Sequence, residues 1–163
     1  MSIAICPGSF DPITLGHLNI IRRSSKIFDK VIVCVMINSK KTGMFTVEER
    51  VEMARKATEK YPNVSVESSS GLLAEYAKQH DGAVIVKGLR AASDFEYEFQ
   101  MNLINKKINP QLETMFLTSD VKYSFLSSSV VREMARYGAD LTGFVPDEIK
   151  EEIEEKAKQW RTK

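Results

Sequence analysis

Two cysteines are all that this chain of 163 residues contains. Cys6 and Cys34 both lie in apolar runs, and we expect them to be reduced, buried thiols in a cytoplasmic protein. A metal site built on this pair would need further ligands, and we find none within reach in the sequence. The cysteine content therefore favours neither a disulfide framework nor a zinc module.

The chain also lacks an excess of charge of either sign. Its 23 Lys and Arg residues almost balance its 22 Asp and Glu residues, and the formal net charge is +1. Such a balance gives no electrostatic footprint for duplex nucleic acid or for an anionic membrane, so we expect neither as a partner. Small phosphorylated ligands stay open, because they need only a few local cations.

Long hydrophobic runs are missing as well. No apolar stretch approaches the roughly 18 residues of a membrane span, and the opening MSIAIC has neither the charged start nor the length of a signal peptide. The hydrophobic content of 43% is that of an ordinary globular protein. We therefore expect one domain over residues 1–163, with residues 137–163 forming a C-terminal helical tail.

Short apolar runs rich in Val and Ile predict five β-strands. Most of these runs are continuous rather than alternating, which is typical of a parallel sheet covered by helices on both faces. Helical patterns fill the intervals, two of them opened by the capping boxes Thr46–Glu49 and Ser93–Glu96. The predicted strands are 3–6, 31–37, 64–67, 83–87 and 114–117, and the predicted helices are 14–28, 46–60, 71–80, 93–108, 127–138 and 146–160. This order indicates an α/β fold with a doubly wound five-stranded parallel sheet.

The first predicted strand runs into a turn crowded with polar residues, GSFDPITLGH. Gly8 lets a ligand approach the backbone, and Ser9 offers a hydroxyl at the carboxyl end of the strand, where such sheets bind ligands. His17 lies in the first turn of the next helix, three residues after Thr14, at a helix end that attracts anions. The same residues also suit a plain turn, an N-cap and a satisfied histidine, and spacing alone does not decide between the two interpretations.

The turns after the fourth and fifth predicted strands carry further groups that suit phosphate. Lys87 and Arg90 flank Gly88, and two cations at the mouth of a buried strand favour phosphate recognition over solvated charges. Ser127, Ser128 and Ser129 open a helix and supply hydroxyls together with free backbone N–H groups. One serine would suffice for an N-cap, so the excess favours function without deciding it.

Two carboxylates and a lysine pair are harder to interpret. Asp94 and Glu98 share a helix face and could hold a ribose hydroxyl or a cation, although a solvated face is the commoner case for either. Lys40 and Lys41 lie in a loop placed to cover a ligand, where lysines are usually just solvated. No nucleophilic cysteine or Ser-His-Asp arrangement is apparent, which favours positioning and charge stabilisation of phosphates over a covalent route.

Three stretches, PGSFDPITLGH, GLRAASDFEYE and YSFLSSS, together resemble the bacterial phosphopantetheine adenylyltransferase family of the nucleotidyltransferase superfamily. The similarity extends from about Ile3 to Pro146. It implies a Rossmann-like nucleotidyltransferase fold and transfer of AMP from ATP to 4′-phosphopantetheine, giving 3′-dephospho-coenzyme A and pyrophosphate. That reaction is the penultimate step of coenzyme A synthesis. The resemblance further implies Mg²⁺, direct in-line attack without a covalent intermediate, and a homohexamer built as a dimer of trimers.

The same resemblance assigns roles to individual residues. His17 and Lys41 become the catalytic residues, with His17 donating to the α-phosphate and Lys41 neutralising the attacking phosphate. Ser9, Lys41, Leu73 and Lys87 become contacts of phosphopantetheine. The implied ATP contacts are Ser9, Phe10, His17, Gly88, Leu89, Arg90, Glu98, Tyr123, Ser124, Phe125, Leu126, Ser127, Ser128 and Ser129. The resemblance leaves open which protein groups, if any, hold the Mg²⁺.

Two other functions compete with this one. A sister enzyme of the superfamily would act on nicotinamide mononucleotide, or on a phosphorylated alcohol with CTP, but the stretch GLRAASDFEYE and the position of Lys41 speak against it. A non-catalytic sensor of adenine nucleotides would not need His17, Lys41 and Arg90 together.

One departure from the family pattern is Lys87, which stands where arginine is frequent. Lysine keeps the positive charge but lacks the two-pronged hydrogen bonding of a guanidinium.

Overall fold

The computed structural model describes residues 1–161, so residues 162 and 163 of the expected C-terminal tail lie outside the described residues. The strands are β1 (Ile3–Gly8), β2 (Lys30–Ile37), β3 (Val64–Ser70), β4 (Ala83–Leu89) and β5 (Glu113–Thr118). The helices are α1 (Leu15–Ser24), α2 (Val47–Thr58), α3 (Leu73–Ala77), α4 (Ala92–Ile108), α5 (Ser128–Arg136) and α6 (Asp147–Arg161), with a 3₁₀ turn at Val121–Tyr123. No helix in this part of the chain is long and apolar enough to cross a membrane.

The five strands form one parallel sheet in the order β3-β2-β1-β4-β5. The chain winds outward from β1 to β3, then returns to the other side of β1 and winds outward again through β4 and β5. The predicted doubly wound parallel sheet is therefore confirmed. Such a sheet has its topological switch point between β1 and β4, which is where ligands bind in this architecture.

The pairing between the two central strands, β1 and β4, ends about halfway along β1. β1 pairs with β2 from Ile3 to Gly8, but it pairs with β4 only through Ile3–Ile5 opposite Ala83–Ile85. Beyond that point β4 continues beside β5 as far as Leu89. Pro7, which has no N–H to donate, lies in the section of β1 that is no longer paired with β4. The separation leaves a cleft at the carboxyl ends of β1 and β4.

Residues of each inner strand point alternately into two cores, which explains why the apolar runs are continuous. The larger core lies between the sheet and α1, α2, α5 and α6, and includes Cys6 and Val33. The smaller core lies on the opposite face with α3, and includes Ile5, Ile32 and Cys34. Both cysteines are buried and unpaired with each other, as predicted.

The helix starts agree with the sequence in one case and differ in another. The Thr46–Glu49 capping box forms, with Glu49 Oε2 accepting from the Thr46 N–H at 2.8 Å. The predicted Ser93–Glu96 capping box is wrong, because α4 begins at Ala92 and its N-cap has no side-chain hydrogen bond. The Asp94 carboxylate instead reaches back to the Arg90 N–H at 3.1 Å. Helix α3 is also shorter than the predicted span 71–80.

The C-terminal helix packs on its own chain. Ile149, Ile153 and Ala157 of α6 are buried in the larger core beside α2 and α5. At the far end, Arg161 Nη2 donates to the Ala135 carbonyl at 2.6 Å and so satisfies a carbonyl in the last turn of α5. Gly138 follows that helix at φ +74°, the left-handed conformation in which glycine commonly ends a helix.

Truncating the buried side chain of Ile153 tests whether α6 belongs to the folding core. Ile153→Ala should lower the free energy of unfolding by about 2–5 kcal/mol, because it removes a fully buried side chain and leaves a cavity. Urea unfolding followed by circular dichroism measures the change. The matched control is Ile27→Ala, at a site that is 56% exposed. Equal and small losses in the two variants would contradict this placement of α6.

Candidate active site

A pocket of about 290 Å³ opens where β1 and β4 separate. Its walls come from the ends of both strands, from the start of α1, from α4 and from the segment leading into α5. The predicted site residues that line it are Phe10, His17, Lys87, Gly88, Arg90, Glu98, Tyr123, Leu126, Ser127 and Ser128. The fold thus brings together residues from turns that are widely separated in the sequence.

The remaining predicted residues lie outside the lining of this pocket. Ser9 and Lys41 are exposed, and Lys41 belongs to the segment between β2 and α2. Leu73 starts α3 and packs against the smaller core. Leu89, Ser124, Phe125 and Ser129 also fall outside the lining. Lys41 and Leu73 nevertheless follow β2 and β3, so they lie at the same edge of the sheet as the pocket.

Phe10 gives the β1–α1 turn an unusual shape. Its backbone φ angle of +48° lies in the left-handed region, which residues other than glycine rarely adopt. The ring is buried and meets the His17 ring edge-on, with 5.0 Å between the centroids. A Cβ on Gly8 would lie 3.1 Å from the Phe10 ring, so a larger residue there would require the ring to shift by a few tenths of an ångström. The turn accepts backbone strain in order to pack Phe10 against the histidine.

One hydrogen bond fixes the tautomer of His17. The Thr14 backbone N–H donates to His17 Nδ1 at 3.0 Å, which closes a capping box at the start of α1. A backbone N–H can only donate, so Nδ1 must carry the lone pair and the proton must lie on Nε2. His17 therefore offers the pocket an N–H donor at its other ring nitrogen.

The surroundings also keep His17 neutral. Burial lowers the pKa of the imidazole to about 4, and the nearby positive charge of Arg90 acts in the same direction. The imidazole is thus uncharged at pH 7. A histidine whose pKa is lower in the folded than in the unfolded chain makes the fold less stable as the pH falls from 6.5 to about 4.

Each cation of the pocket is paired with a carboxylate on α4. Arg90 Nε lies 3.2 Å from Asp94 Oδ2, and Arg90 Nη1 donates to the Leu126 carbonyl at 2.8 Å. Lys87 Nζ lies 2.8 Å from Glu98 Oε2. A solvated helix face is therefore the wrong interpretation of Asp94 and Glu98, because both line the pocket.

The three serines at the start of α5 have different partners. Ser127 Oγ accepts from the Val130 N–H at 3.2 Å and is the N-cap. Ser128 Oγ donates to the Pro12 carbonyl at 2.7 Å, which docks the helix start on the β1–α1 turn. Ser129 Oγ accepts from an Arg132 guanidinium N–H. The backbone N–H groups of the first helical turn remain suited to an anion.

Asp11, in the polar turn after β1, makes a long-range contact that the sequence pattern does not predict. Its buried carboxylate accepts from the Met44 and Phe45 N–H groups, at 2.9 Å each. No local pattern predicts this contact, because it joins segments that lie 33 and 34 residues apart.

Within residues 1–161, no group of three or more His, Cys, Asp or Glu side chains could hold a metal ion. The two carboxylates of the pocket wall are already paired with cations. A Mg²⁺ that takes most of its ligands from substrate phosphates and water needs no such protein cage, and it is the kind of metal binding that these residues permit.

Comparison with known proteins gives matches over nearly the whole chain. The cytidylyltransferase-like family matches residues 5–134. A phosphopantetheine adenylyltransferase from Caldanaerobacter subterraneus subsp. tengcongensis is 52% identical over 159 residues, covering 98% of this chain and 99% of the relative. One from Clostridium tetani is 53% identical over 153 residues, covering 94% and 96%. A solved structure from Vibrio parahaemolyticus, described as a nicotinate-nucleotide adenylyltransferase, has a TM-score of 0.68 at 18% identity and supports the fold alone, over 99% of this chain and 96% of that one.

Nuclear magnetic resonance of the His17 ring tests the tautomer and the lowered pKa. The sequence contains two histidines, so a His80→Gln variant leaves a single imidazole to observe. In the ligand-free protein we expect a neutral ring with the proton on Nε2 and a titration midpoint of about 4. A midpoint close to the ordinary value of 6.5, or a proton on Nδ1, would contradict the geometry.

Proposed function

The chain belongs to the phosphopantetheine adenylyltransferase family, and from that premise we propose that it transfers AMP from ATP to 4′-phosphopantetheine by direct in-line attack. The observation that carries the proposal is the neutral His17 ring. Its remaining N–H donor lies in the wall of a pocket shared with Arg90 and the start of α5. These are groups that stabilise charge on phosphates, and none of them needs to form a covalent bond.

In the proposed reaction, a phosphate oxygen of 4′-phosphopantetheine forms a bond to the α-phosphorus of ATP. The bond from that phosphorus to the bridging oxygen breaks, and pyrophosphate leaves with the electron pair. Negative charge builds on the α-phosphoryl oxygens during the transfer. His17 Nε2–H donates to one of these oxygens, and the low pKa means that the ring does so as a neutral imidazole near pH 7.

The leaving group would be held by the opposite wall of the pocket. Arg90 supplies a planar guanidinium that the Leu126 carbonyl already orients. The first turn of α5 adds backbone N–H groups and the hydroxyls of Ser127, Ser128 and Ser129. Phe10, Gly88, Leu89, Glu98 and the segment 123–126 are the proposed surroundings of the nucleoside. A Cβ on Gly88 would lie 2.9 Å from Ile20, so this strand end can pack closely only with glycine.

The acceptor would enter from the β2–β3 side of the pocket. We assign Lys41 to the attacking phosphate, Ser9 to the place where the two substrates meet, and Leu73 to the pantetheine arm. Lys87 would exchange Glu98 for a substrate phosphate. Mg²⁺ would travel with the phosphates of ATP, where it supplies neutralisation of their charge.

Release of pyrophosphate from ATP tests the reaction and its acceptor together. We expect release by the purified protein with Mg²⁺ only when 4′-phosphopantetheine is present. Nicotinamide mononucleotide in its place is the matched control for a sister enzyme of the superfamily. Release with nicotinamide mononucleotide, or ATP binding with no release for either acceptor, would overturn the proposed function.

Removing the imidazole of His17 separates its role in the transition state from nucleotide binding. His17→Ala should lower kcat by about 100-fold or more, the usual loss for one donor to a developing anion, while the Kd for ATP changes little. Steady-state kinetics and isothermal titration measure the two quantities. His80→Ala, which removes the other histidine, is the control and should retain full activity. Equal losses in kcat and in ATP affinity for His17→Ala would argue against this role.

We propose that a second copy of this chain covers the exposed face of α4. This helix of 17 residues contains no buried residue. Large apolar side chains stand exposed along it, among them Phe95, Phe99 and Leu103, which follow one another at four-residue intervals. An apolar stripe of this extent supports the proposed homohexamer.

Charges placed on this stripe test the assembly. Light scattering after gel filtration should give the unaltered protein about six times the single-chain mass of 18.4 kDa. The double variant Phe99→Glu/Leu103→Glu should move toward the single-chain mass, because two carboxylates would be buried without partners. Tyr137→Glu, at another exposed site, should leave the mass unchanged. A single-chain mass for the unaltered protein would refute the hexamer.

A further inference from the structure

We propose that Asp11 is a positioning residue that holds the Lys41 loop, residues 38–45, at the distance from His17 that the reaction requires. This inference rests on the proposed role of Lys41. Asp11 does not line the pocket, so it would act through the segments that its backbone and side chain hold.

The carboxylate of Asp11 is the anchor of this loop. The residue is only 7% exposed, and both carboxylate oxygens accept hydrogen bonds from consecutive backbone N–H groups. Oδ2 accepts from Met44 and Oδ1 from Phe45, at 2.9 Å each. The two residues that donate are themselves buried in the larger core. The loop is therefore fixed at its end nearest α2 by two charge-assisted hydrogen bonds.

Gly43 shows how closely the loop approaches this carboxylate. A Cβ at that position would lie 2.9 Å from Asp11 Oδ2 and 3.1 Å from the Phe45 carbonyl oxygen. The first distance is shorter than real Cβ contacts, so any side chain there would displace the carboxylate or the loop. Only glycine at position 43 fits against the Asp11 carboxylate in this arrangement.

Asp11 also connects this loop to the start of α5. Arg132 Nη1 donates to the Asp11 carbonyl at 2.7 Å and lies 3.7 Å from its Oδ2. The next residue of the turn, Pro12, accepts from Ser128 Oγ through its carbonyl. Three segments that carry proposed site residues therefore meet at one side chain and its backbone: the β1–α1 turn, the Lys41 loop and the start of α5.

Only a few residues separate Lys41 and His17 from the groups that Asp11 holds, so a movement of Asp11 would be transmitted to both. Lys41 lies three residues before Met44, which permits at most roughly 11 Å of extended chain between them. On the other side, His17 lies six residues after Asp11, and Thr14 fixes its ring. Both proposed catalytic residues are thus linked to Asp11 over short lengths of chain, Lys41 through the carboxylate and His17 through the backbone. A shift of Asp11 would move one relative to the other.

The test replaces the carboxylate with the amide of the same shape. Asp11→Asn keeps one oxygen as an acceptor but points an NH₂ group at the second backbone N–H, which can only donate. We expect kcat to fall by about 10- to 100-fold, as misplaced catalytic groups cause, with the Kd for ATP within about twofold of the original. Trypsin should also cut faster after Lys40 and Lys41. Asp140→Asn is the matched control, because Asp140 likewise accepts from a backbone N–H and lies 3.7 Å from a cation.

A double-mutant cycle with Lys41→Ala decides whether Asp11 acts through Lys41. If it does, Asp11→Asn lowers kcat in the original protein but causes no further loss in the Lys41→Ala background. Losses that multiply would overturn the inference and leave the role of Lys41 intact. A full kcat in Lys41→Ala would instead refute the proposed role of Lys41, and the inference with it. If Asp11→Asn does not fold, Gly43→Ala is put through the same cycle with the same expected outcome.

Discussion

The separation of β1 and β4 after three paired residues is the constraint on which the rest of this structure depends. Two central strands of a sheet normally satisfy each other's backbone N–H and C=O groups, and here that pairing stops where the pocket begins. The parting strands set the width of the cleft. They also aim the turns that follow them, so that His17 after β1 and Arg90 after β4 line the same space.

The charges that line the pocket balance one another. The pocket contains two cations and two carboxylates in pairs, and its histidine is neutral. Without these partners, the two cations of the pocket wall would lie there with uncompensated charge, which costs free energy. The pairs Lys87–Glu98 and Arg90–Asp94 remove that cost in the protein without substrate. In the proposed reaction, substrate phosphates would take over as partners of the cations.

Much of the fold and part of the candidate site could be predicted from the sequence, for physical reasons. The strands were predictable because each inner residue faces one of two cores, and the polar end of β3, Ser68–Ser70, was missed because an edge strand needs no apolar residue there. The turns of the site followed from the parallel order of the strands. The contact of Asp11 with Met44 and Phe45 and the pair Lys87–Glu98 did not, because such contacts depend on how distant segments meet in space and leave no periodic pattern.

A crystal structure with a non-reacting ATP analogue, α,β-methylene ATP, and 4′-phosphopantetheine would test the central claim most directly. We expect the triphosphate to lie in the cleft between Gly8 and Gly88, with an α-phosphate oxygen within hydrogen-bond distance of His17 Nε2. The β- and γ-phosphates should contact Arg90 and the first turn of α5. A nucleotide bound away from the parting of β1 and β4, or a triphosphate out of reach of His17, would contradict this account.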